Sequence, residues 1–160
     1  MRALRRSIDD TDGPQRSVSI CARLRVLIAE QLEVAPPPVW RRGAVMVFTP
    51  IRGEPGLDEL VEWCRSVDLA TVVPEDEPDP GRVDVVVVPG LAFTADGHRL
   101  GQGGGWYDRF LVRVPERVLV VGVGFAEQLV AELPIEPHDV PLDAIITEVG
   151  VHRPGPGVGP

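Results

Sequence analysis

The stretch from Val85 to Leu111, VVVVPGLAFTADGHRLGQGGGWYDRFL, decides the fold of this chain. It begins with four valines, Val85 to Val88, and an unbroken apolar run of this kind is typical of a strand buried on both faces. The strand is predicted to end at Pro89-Gly90, because proline lacks the N–H that would extend a ladder. The stretch closes with apolar and aromatic residues at helical spacing, from Trp106 to Leu111. It therefore predicts a strand, a loop and a helix of an open α/β fold.

The loop between this strand and this helix is rich in glycine. Four of the five positions from 101 to 105 are glycine, with Arg99 before them and Asp108 after them. A glycine loop that opens a helix presents bare backbone N–H groups to a ligand, which favours the binding of phosphate. The alternative is a tight turn that needs residues with positive φ. The arginine and the aspartate on either side favour the phosphate site.

Two common phosphate-binding motifs do not fit this loop. A dinucleotide fingerprint has glycine at its first, third and sixth positions, but Trp106 is sixth when the count starts at Gly101. A Walker loop ends in Gly-Lys-Ser/Thr, and the chain contains no lysine. The positive groups of a phosphate site here are therefore expected to be Arg99 and the backbone amides of the loop.

The remaining sequence predicts an α/β domain around this unit. Apolar runs and helical spacings alternate along the chain, which favours a three-layer sandwich with a largely parallel sheet of about five strands. Residues 1–150 are expected to form this single domain, with a stiff linker at Ala35 to Pro38 and a disordered Gly/Pro-rich tail at 151–160. The predicted elements are a helix over Ser17 to Leu32, a strand over Ala44 to Phe48, a helix over Leu57 to Cys64, strands over Leu69 to Val73 and Arg117 to Gly124, a short helix or turn around Val130 and Leu133, and a last strand over Ala144 to Val149.

Composition narrows the class of protein and of partner. With 160 residues, 44% of them hydrophobic, the chain is long enough for one well-packed core. A net charge of −8 argues against nucleic acid or an anionic membrane as the partner. Cys21 and Cys64 are unclustered and no secretory segment or membrane-length apolar run is visible, so we expect reduced thiols in a cytoplasmic protein.

Three segments together resemble a known family. VVVVPGLAF, RLGQGGGWYDRFL and GFAEQLVAELPIEPHDVPLDAIITE are similar to the pattern of 5-formyltetrahydrofolate cyclo-ligases, also called 5,10-methenyltetrahydrofolate synthetases. The resemblance is strong from Val83 to Val149 and weaker from Val45 to Leu60. Members of the family use ATP and Mg²⁺ to convert 5-formyltetrahydrofolate to 5,10-methenyltetrahydrofolate. The resemblance thus implies a ligase with a folate substrate, ATP as co-substrate and Mg²⁺ as cofactor. We expect the protein to be a monomer.

The resemblance also assigns roles to residues. It implies that Arg99 and Tyr107 are catalytic, and that Asp108 and Asp139 hold Mg²⁺. The residues expected to bind ATP are Arg5, Arg99, Gly101, Gln102, Gly103, Gly104, Gly105, Trp106 and Tyr107. The residues expected to bind the folate are Thr49, Glu54, Gln102 and Trp106. Judged from the residues alone, Asp108 could instead cap a helix, Asp139 could form a turn and Glu54 could be a surface residue of a loop.

The chain departs from the family pattern in three places. Met1 stands where the family has a lysine before Arg5, and Trp106 stands where a tyrosine is usual. The acidic connection Pro74 to Arg82, interpreted as a solvated loop, is much shorter than in the family, so the folate pocket is expected to lack one wall. The short connection and the missing lysine are the reasons for an alternative hypothesis beside the active ligase, in which the chain is a degenerate member that binds a nucleotide or phosphate ligand without cyclo-ligase activity and has a regulatory or other role.

Overall fold

A six-stranded sheet forms the centre of the protein in a computed structural model, which describes residues 12–34, 43–137 and 139–155. Its order is β2 (Ala70–Val72), β1 (Ala44–Met46), β3 (Val83–Pro89), β6 (Leu119–Val123), β8 (Ala144–Ile146) and β9 (Val151–His152). The first five strands are parallel to their neighbours, and β9 pairs antiparallel with β8. The predicted largely parallel sheet is therefore confirmed.

Helices cover both faces of this sheet. Helix α1 (Gly13–Val34) and helix α2 (Asp58–Ser66) pack on one face, and helix α3 (Trp106–Leu111) packs on the other. The valine run of β3 shows why: Val85 and Val87 belong to the core cluster under α1, whereas Val86 and Val88 belong to the cluster under α3. Because successive strand residues point to opposite faces, an unbroken apolar run requires cover on both sides. The three-layer prediction is confirmed.

A second, three-stranded sheet lies beside the α3 face. It consists of β4 (Ala92–Thr94), β5 (Arg99–Leu100) and β7 (Leu129–Val130), with β7 parallel to β4. The expectation of a short helix or turn around Val130 was wrong. Two residues are too few to show a period, so the strand is defined only by its partner β4. In β6, a Cβ on Gly122 would lie 2.7 Å from the Phe93 ring, so glycine is what allows β4 to pack this closely.

Several predicted elements end at other residues than the observed ones. Strand β1 stops at Met46 rather than Phe48, and β8 stops at Ile146 rather than Val149. Val151–His152, which were assigned to a disordered tail, form β9 instead, because a tight turn returns the chain antiparallel to β8. The linker Ala35 to Pro38, the last five residues 156–160 and Arg5 lie outside the described residues.

The loops that follow β1 and β3 reach the same edge of the main sheet, since these strands are parallel. In open α/β sheets this carboxyl edge is the usual position of a ligand site.

Cys21 and Cys64 are buried free thiols, and burial raises the pKa of Cys64 to about 11. Among the described residues, no helix has both the length and the apolar character needed to cross a bilayer.

Candidate functional site

The glycine loop, residues 101–105, is open to solvent rather than packed against the core. Gly103 has φ +96° and Gly105 has φ +63°, and side chains of L residues rarely tolerate either conformation. A Cβ at Gly103 or Gly104 would meet no atom within 4 Å. Gly105 is also the residue that precedes α3. The backbone of the loop is therefore accessible to a ligand, as a phosphate site requires.

Arg99 lies beneath this loop and already has partners. Its Nη2 donates to Oδ1 of Asp108 at 2.5 Å, and its Nη1 donates to the carbonyl oxygen of Pro89 at 3.4 Å. Its guanidinium lies 5.5 Å from the centre of the Tyr107 ring, and its side chain is only 7% exposed. Because Asp108 neutralises much of this positive charge, a phosphate that enters the loop must compete with that carboxylate for the guanidinium.

Two adjoining cavities meet at the glycine loop. The loop cavity, of about 160 Å³, is bordered by the glycine loop itself together with Arg99 and Asp108. The aromatic cavity, of about 480 Å³, is lined by Trp106 and Tyr107 and by loops that follow other strands. The two cavities share four residues: Pro89, Gln102, Trp106 and Tyr107. The two cavities therefore adjoin along these four residues, and ligands in both would touch the same side chains.

The aromatic side chains that separate the cavities are fixed by packing. Trp106 is stacked on Phe110 at 4.9 Å between ring centres and meets Tyr107 edge-on at 5.1 Å. Burial, with a further contribution from the charge of Glu54, raises the pKa of Tyr107 well above its ordinary value, and the Arg99 charge offsets this only in part. The phenol therefore stays protonated at neutral pH, where it can act as a hydrogen-bond donor but not as a general base.

The four residues expected to bind the folate, Thr49, Glu54, Gln102 and Trp106, all line the aromatic cavity. Gln102 Nε2 donates to Oε1 of Glu54 at 2.9 Å, and Ile51 N donates to Oε2 of the same glutamate at 2.9 Å. Glu54 therefore holds the loop after β1 in shape and joins it to the glycine loop. The structure brings these residues together although 53 positions separate Thr49 from Gln102 in the chain.

The two predicted Mg²⁺ ligands have different surroundings. Asp108 lines the loop cavity, but Asp139 lines neither cavity, and its Oδ2 accepts a hydrogen bond from Glu136 N at 2.8 Å. Within the described part of the chain, no group of three or more His, Cys, Asp or Glu residues could hold a metal ion. Any divalent ion at this site would depend on one or two carboxylates together with ligand oxygens and water.

Sequence reasoning missed one wall of the aromatic cavity. Pro74, Glu75 and Glu77 line it, although the connection from Pro74 to Arg82 was interpreted as a solvated loop. The short connection therefore supplies side chains to this cavity although Glu75 and Glu77 are exposed, and the expectation that the folate pocket lacks one wall stays a prediction. The one available signal was Pro74 directly after a predicted strand, since a strand end at the carboxyl edge of a parallel sheet lies near the ligand site.

This fold and this site define an α/β protein with an open glycine loop beside an aromatic cavity. The sequence model described as the 5-formyltetrahydrofolate cyclo-ligase family matches residues 69–148, which include the glycine loop, Asp108 and Asp139. This match spans half of the chain. The chain belongs to the 5-formyltetrahydrofolate cyclo-ligase family.

Curated relatives and solved structures agree with this family. The chain is 38% identical over 94 residues to the mitochondrial 5-formyltetrahydrofolate cyclo-ligase of Arabidopsis thaliana, a match that covers 52% of this chain and 32% of that protein. It is 46% identical over 68 residues to the 5-formyltetrahydrofolate cyclo-ligase of Escherichia coli K12, a match that covers 41% of this chain and 37% of that protein. The chain therefore matches only about a third of the length of these curated relatives.

The similarity of the folds extends further than that of the sequences. The 5,10-methenyltetrahydrofolate synthetase of Aquifex aeolicus superposes with a TM-score of 0.77 and 25% identity, covering 99% of this chain and 94% of that one. The corresponding synthetase of Mycoplasma pneumoniae gives a TM-score of 0.70 at 22% identity, covering 92% and 98%. The second match shows a common fold and no more.

Proposed function

We propose that this protein catalyses the ATP- and Mg²⁺-dependent conversion of 5-formyltetrahydrofolate to 5,10-methenyltetrahydrofolate. The observation that carries the proposal is the junction of the two cavities, where the glycine loop and Arg99 border a space next to Trp106 and Tyr107. The loop cavity suits a phosphate, and the aromatic cavity is large enough for a pterin ring. The four residues shared by the cavities would hold the two reactants against each other.

The chemistry requires activation of a poor leaving group. In the first step, the formyl oxygen attacks the γ-phosphorus of ATP, so that ADP leaves and the oxygen becomes a phosphate ester. N10 then attacks the formyl carbon and loses its proton, and the carbon–oxygen bond breaks as inorganic phosphate departs. The protein contributes by aligning the two reactants and by neutralising charge on the transferring phosphoryl group.

Each side chain of the site has a role in this scheme. Arg99 and the amides of residues 101–105 would stabilise the negative charge of the phosphoryl group. Trp106 would pack against the ligand, and Tyr107, which stays protonated, would donate a hydrogen bond rather than accept a proton. Thr49, Glu54 and Gln102 would hold the polar edge of the folate.

The acidic residues fit Mg²⁺ in number and type. Mg²⁺ in nucleotide sites commonly takes one or two carboxylates, with phosphate oxygens and water as its other ligands. We propose Asp108, which lines the loop cavity, and Asp139 as these carboxylates. The ion would supply neutralisation of phosphate charge. Binding of the ion by Asp108 would also leave the Arg99 guanidinium free to meet the phosphate.

The direct test mixes the protein with Mg-ATP and 5-formyltetrahydrofolate and follows the absorbance of methenyltetrahydrofolate together with the release of ADP. We expect turnover by the wild type and its loss in Arg99→Ala, with Arg65→Ala, an exposed arginine of α2, as the matched control. ATP binding without turnover would instead indicate a family member that retains the loop but has another role. Unchanged ATP affinity in Arg99→Ala would refute the assignment of Arg99 to the phosphate.

A further inference from the structure

Gln128 is a polar side chain buried beneath the site. It ends the 3-10 turn Ala126–Gln128 after β6 and is 1% exposed. Its Oε1 accepts a hydrogen bond from Phe125 N at 2.8 Å, and its Nε2 donates to the carbonyl oxygen of Gly90 at 2.8 Å. The carboxamide thus joins the turn that follows β6 to the turn that follows β3. Only a side chain with both a donor and an acceptor can make this pair of bonds.

The turn held by Gln128 is the one against which Arg99 packs. Pro89, which precedes Gly90, lines both cavities, and its carbonyl oxygen accepts from Arg99 Nη1 at 3.4 Å. A Cβ on Gly90 would lie only 3.1 Å from Cγ of Arg99, so the backbone of this turn and the arginine are in close packing. A movement of Gly90 would therefore displace the arginine beneath the glycine loop.

We propose that Gln128 is a positioning residue of the phosphate site: it anchors the Pro89–Gly90 backbone and so fixes the place of the Arg99 guanidinium. Gln128 itself lines neither the loop cavity nor the aromatic cavity, so it acts through this turn and not on the ligand. The inference rests on the proposed function, in which Arg99 meets the phosphoryl group. It adds a residue to the site that lies 29 positions further along the chain than Arg99.

The sharpest variant is Gln128→Glu, because protonation switches its hydrogen bonding. A neutral carboxyl group can still accept from Phe125 N and donate to the Gly90 oxygen, but an ionised one has no donor and faces that oxygen with negative charge. Burial raises the pKa of an introduced carboxyl group. The charged groups around the two turns are Arg99 on one side and, on the other, Arg16 with the two carboxylates that it pairs with, Glu127 and Glu148.

We expect kcat/KM of Gln128→Glu to stay near the wild-type value in acid and to fall as pH rises through the raised pKa. A displacement of a phosphate-binding group by about 1 Å can cost on the order of 100-fold in rate, and we expect a loss of that order by pH 9. Gln31→Glu is the matched control. Gln31 also donates to a backbone oxygen, that of Arg117 at 3.0 Å, but Arg117 precedes the first residue of β6, whereas Gln128 follows the last one. Its pH profile should follow that of the wild type.

Two further measurements keep the proposal testable if Gln128→Glu does not fold or if the wild type shows no turnover. Gln128→Met removes both hydrogen bonds without charge, so it should lower kcat/KM at every pH, and it decides the matter if Gln128→Glu does not fold. Crystal structures of Gln128→Glu at acidic and alkaline pH should show the contact between Arg99 and the Pro89 oxygen kept in acid and lost in alkali. An unmoved Arg99 in alkali, or a wild-type pH profile, would overturn the proposal. Absence of turnover in the wild type would refute the proposed function alone, since the two crystal structures still test Gln128.

Discussion

The pair formed by Arg99 and Asp108 sets the electrostatics of the loop cavity. The two groups are 2.5 Å apart, and the Asp108 side chain is one-third exposed while that of Arg99 is almost buried. A ligand in the cavity can therefore contact the Asp108 carboxylate directly. It can reach the Arg99 guanidinium only from a position next to that carboxylate. In the proposed function, a phosphate would bind to Arg99 and a cation to Asp108, so the two ligands would be complementary.

Asp108→Asn separates the effect of the carboxylate on phosphate binding from its effect on Mg²⁺ binding. The amide oxygen can still accept a bond from Arg99 but no longer neutralises its charge, so we expect metal-free ATP to bind about tenfold more tightly, roughly 1.4 kcal/mol. The enhancement of binding by Mg²⁺ should decrease at the same time. Calorimetric titration with ATP, once with a chelator and once with Mg²⁺, measures both quantities.

Asp139→Asn is the control for this experiment. In the described structure Asp139 bonds Glu136 N and not Arg99, so its replacement should leave metal-free binding unchanged and reduce only the Mg²⁺ effect. Weaker metal-free binding by Asp108→Asn would show that the carboxylate supports Arg99 rather than competes for it. A full Mg²⁺ effect in Asp139→Asn would remove that residue from the proposed metal site.

At the scale of single residues, the sequence pointed to most of the residues that line the two cavities but not to the contacts that they make. Arg99 and Asp108 were singled out by their place beside the glycines, and Trp106 and Tyr107 by the resemblance to the family. The ion pair of Arg99 with Asp108 could not be predicted, because it depends on how the glycine loop folds back between β5 and α3. Gln128 was missed for a similar reason: a buried glutamine has no periodic pattern, and its partners lie 38 and 3 positions away.

At the scale of elements, α1 is tied to the main sheet by a cluster around Arg16. Arg16 Nε donates to Glu148 Oε1 at 2.9 Å, and Nη2 bonds both Glu148 and Glu127. The guanidinium also lies 4.5 Å from the centre of the Phe125 ring. These acids follow β8 and β6, so one side chain joins the start of α1 to two strands of the sheet.

Arg16→Gln should therefore lower the free energy of unfolding by about 2 kcal/mol, which is less than for a fully buried pair because Glu127 is half exposed. Its hydrogen bond to Arg16 lowers the pKa of Glu127, so this contribution is complete above the unfolded pKa of about 4.3 and is lost as pH falls through the lower folded pKa. The difference between wild type and variant should be full at pH 7 and shrink below about pH 4.

Urea unfolding at several pH values measures this difference. Arg153→Gln is the control, since Arg153 pairs with Glu30 at 3.1 Å but both side chains are more than half exposed. Its effect should stay below about 1 kcal/mol at every pH. A loss for Arg16→Gln that is equally small would mean that the cluster does not hold α1 in place.

Element prediction succeeded where the pattern is long and failed where it is short. The valine run of β3 and the apolar stripe of α1 gave the right element types, because burial on two faces or on one stripe dictates the sequence over many positions. Strands β5, β7 and β9 have two residues each, and they exist only because a partner strand lies beside them. The small sheet that supports Arg99 was therefore invisible before the fold was known.

At the scale of the whole molecule, the net charge opposes the proposed ligands. The chain carries −8 at neutral pH, and Glu54, Glu75 and Glu77 line the aromatic cavity, whereas ATP and a folate are both anions. Attraction by Arg99 acts over short range and is largely shielded from salt by burial. Repulsion by the overall charge acts over long range and is screened once the Debye length falls to about 8 Å at 0.15 M salt.

The association rate of metal-free ATP should consequently rise with salt, in contrast to an enzyme that steers anions by a basic surface, for which the rate falls. We expect an increase of a few-fold between about 10 mM and 150 mM NaCl, because the Debye length shortens from about 30 Å to about 8 Å over this range. Stopped-flow fluorescence can follow binding through Trp106, which lines both cavities.

Mg-ATP provides the internal comparison, since its smaller negative charge should reduce the salt dependence without changing its direction. The dissociation rate should change less than the association rate, because contacts inside a partly enclosed cavity are poorly screened. An association rate that falls with salt would show that local positive charge, and not the net charge of −8, governs the approach of the nucleotide. In that case the basic groups of the chain act at longer range than the buried Arg99 alone would allow.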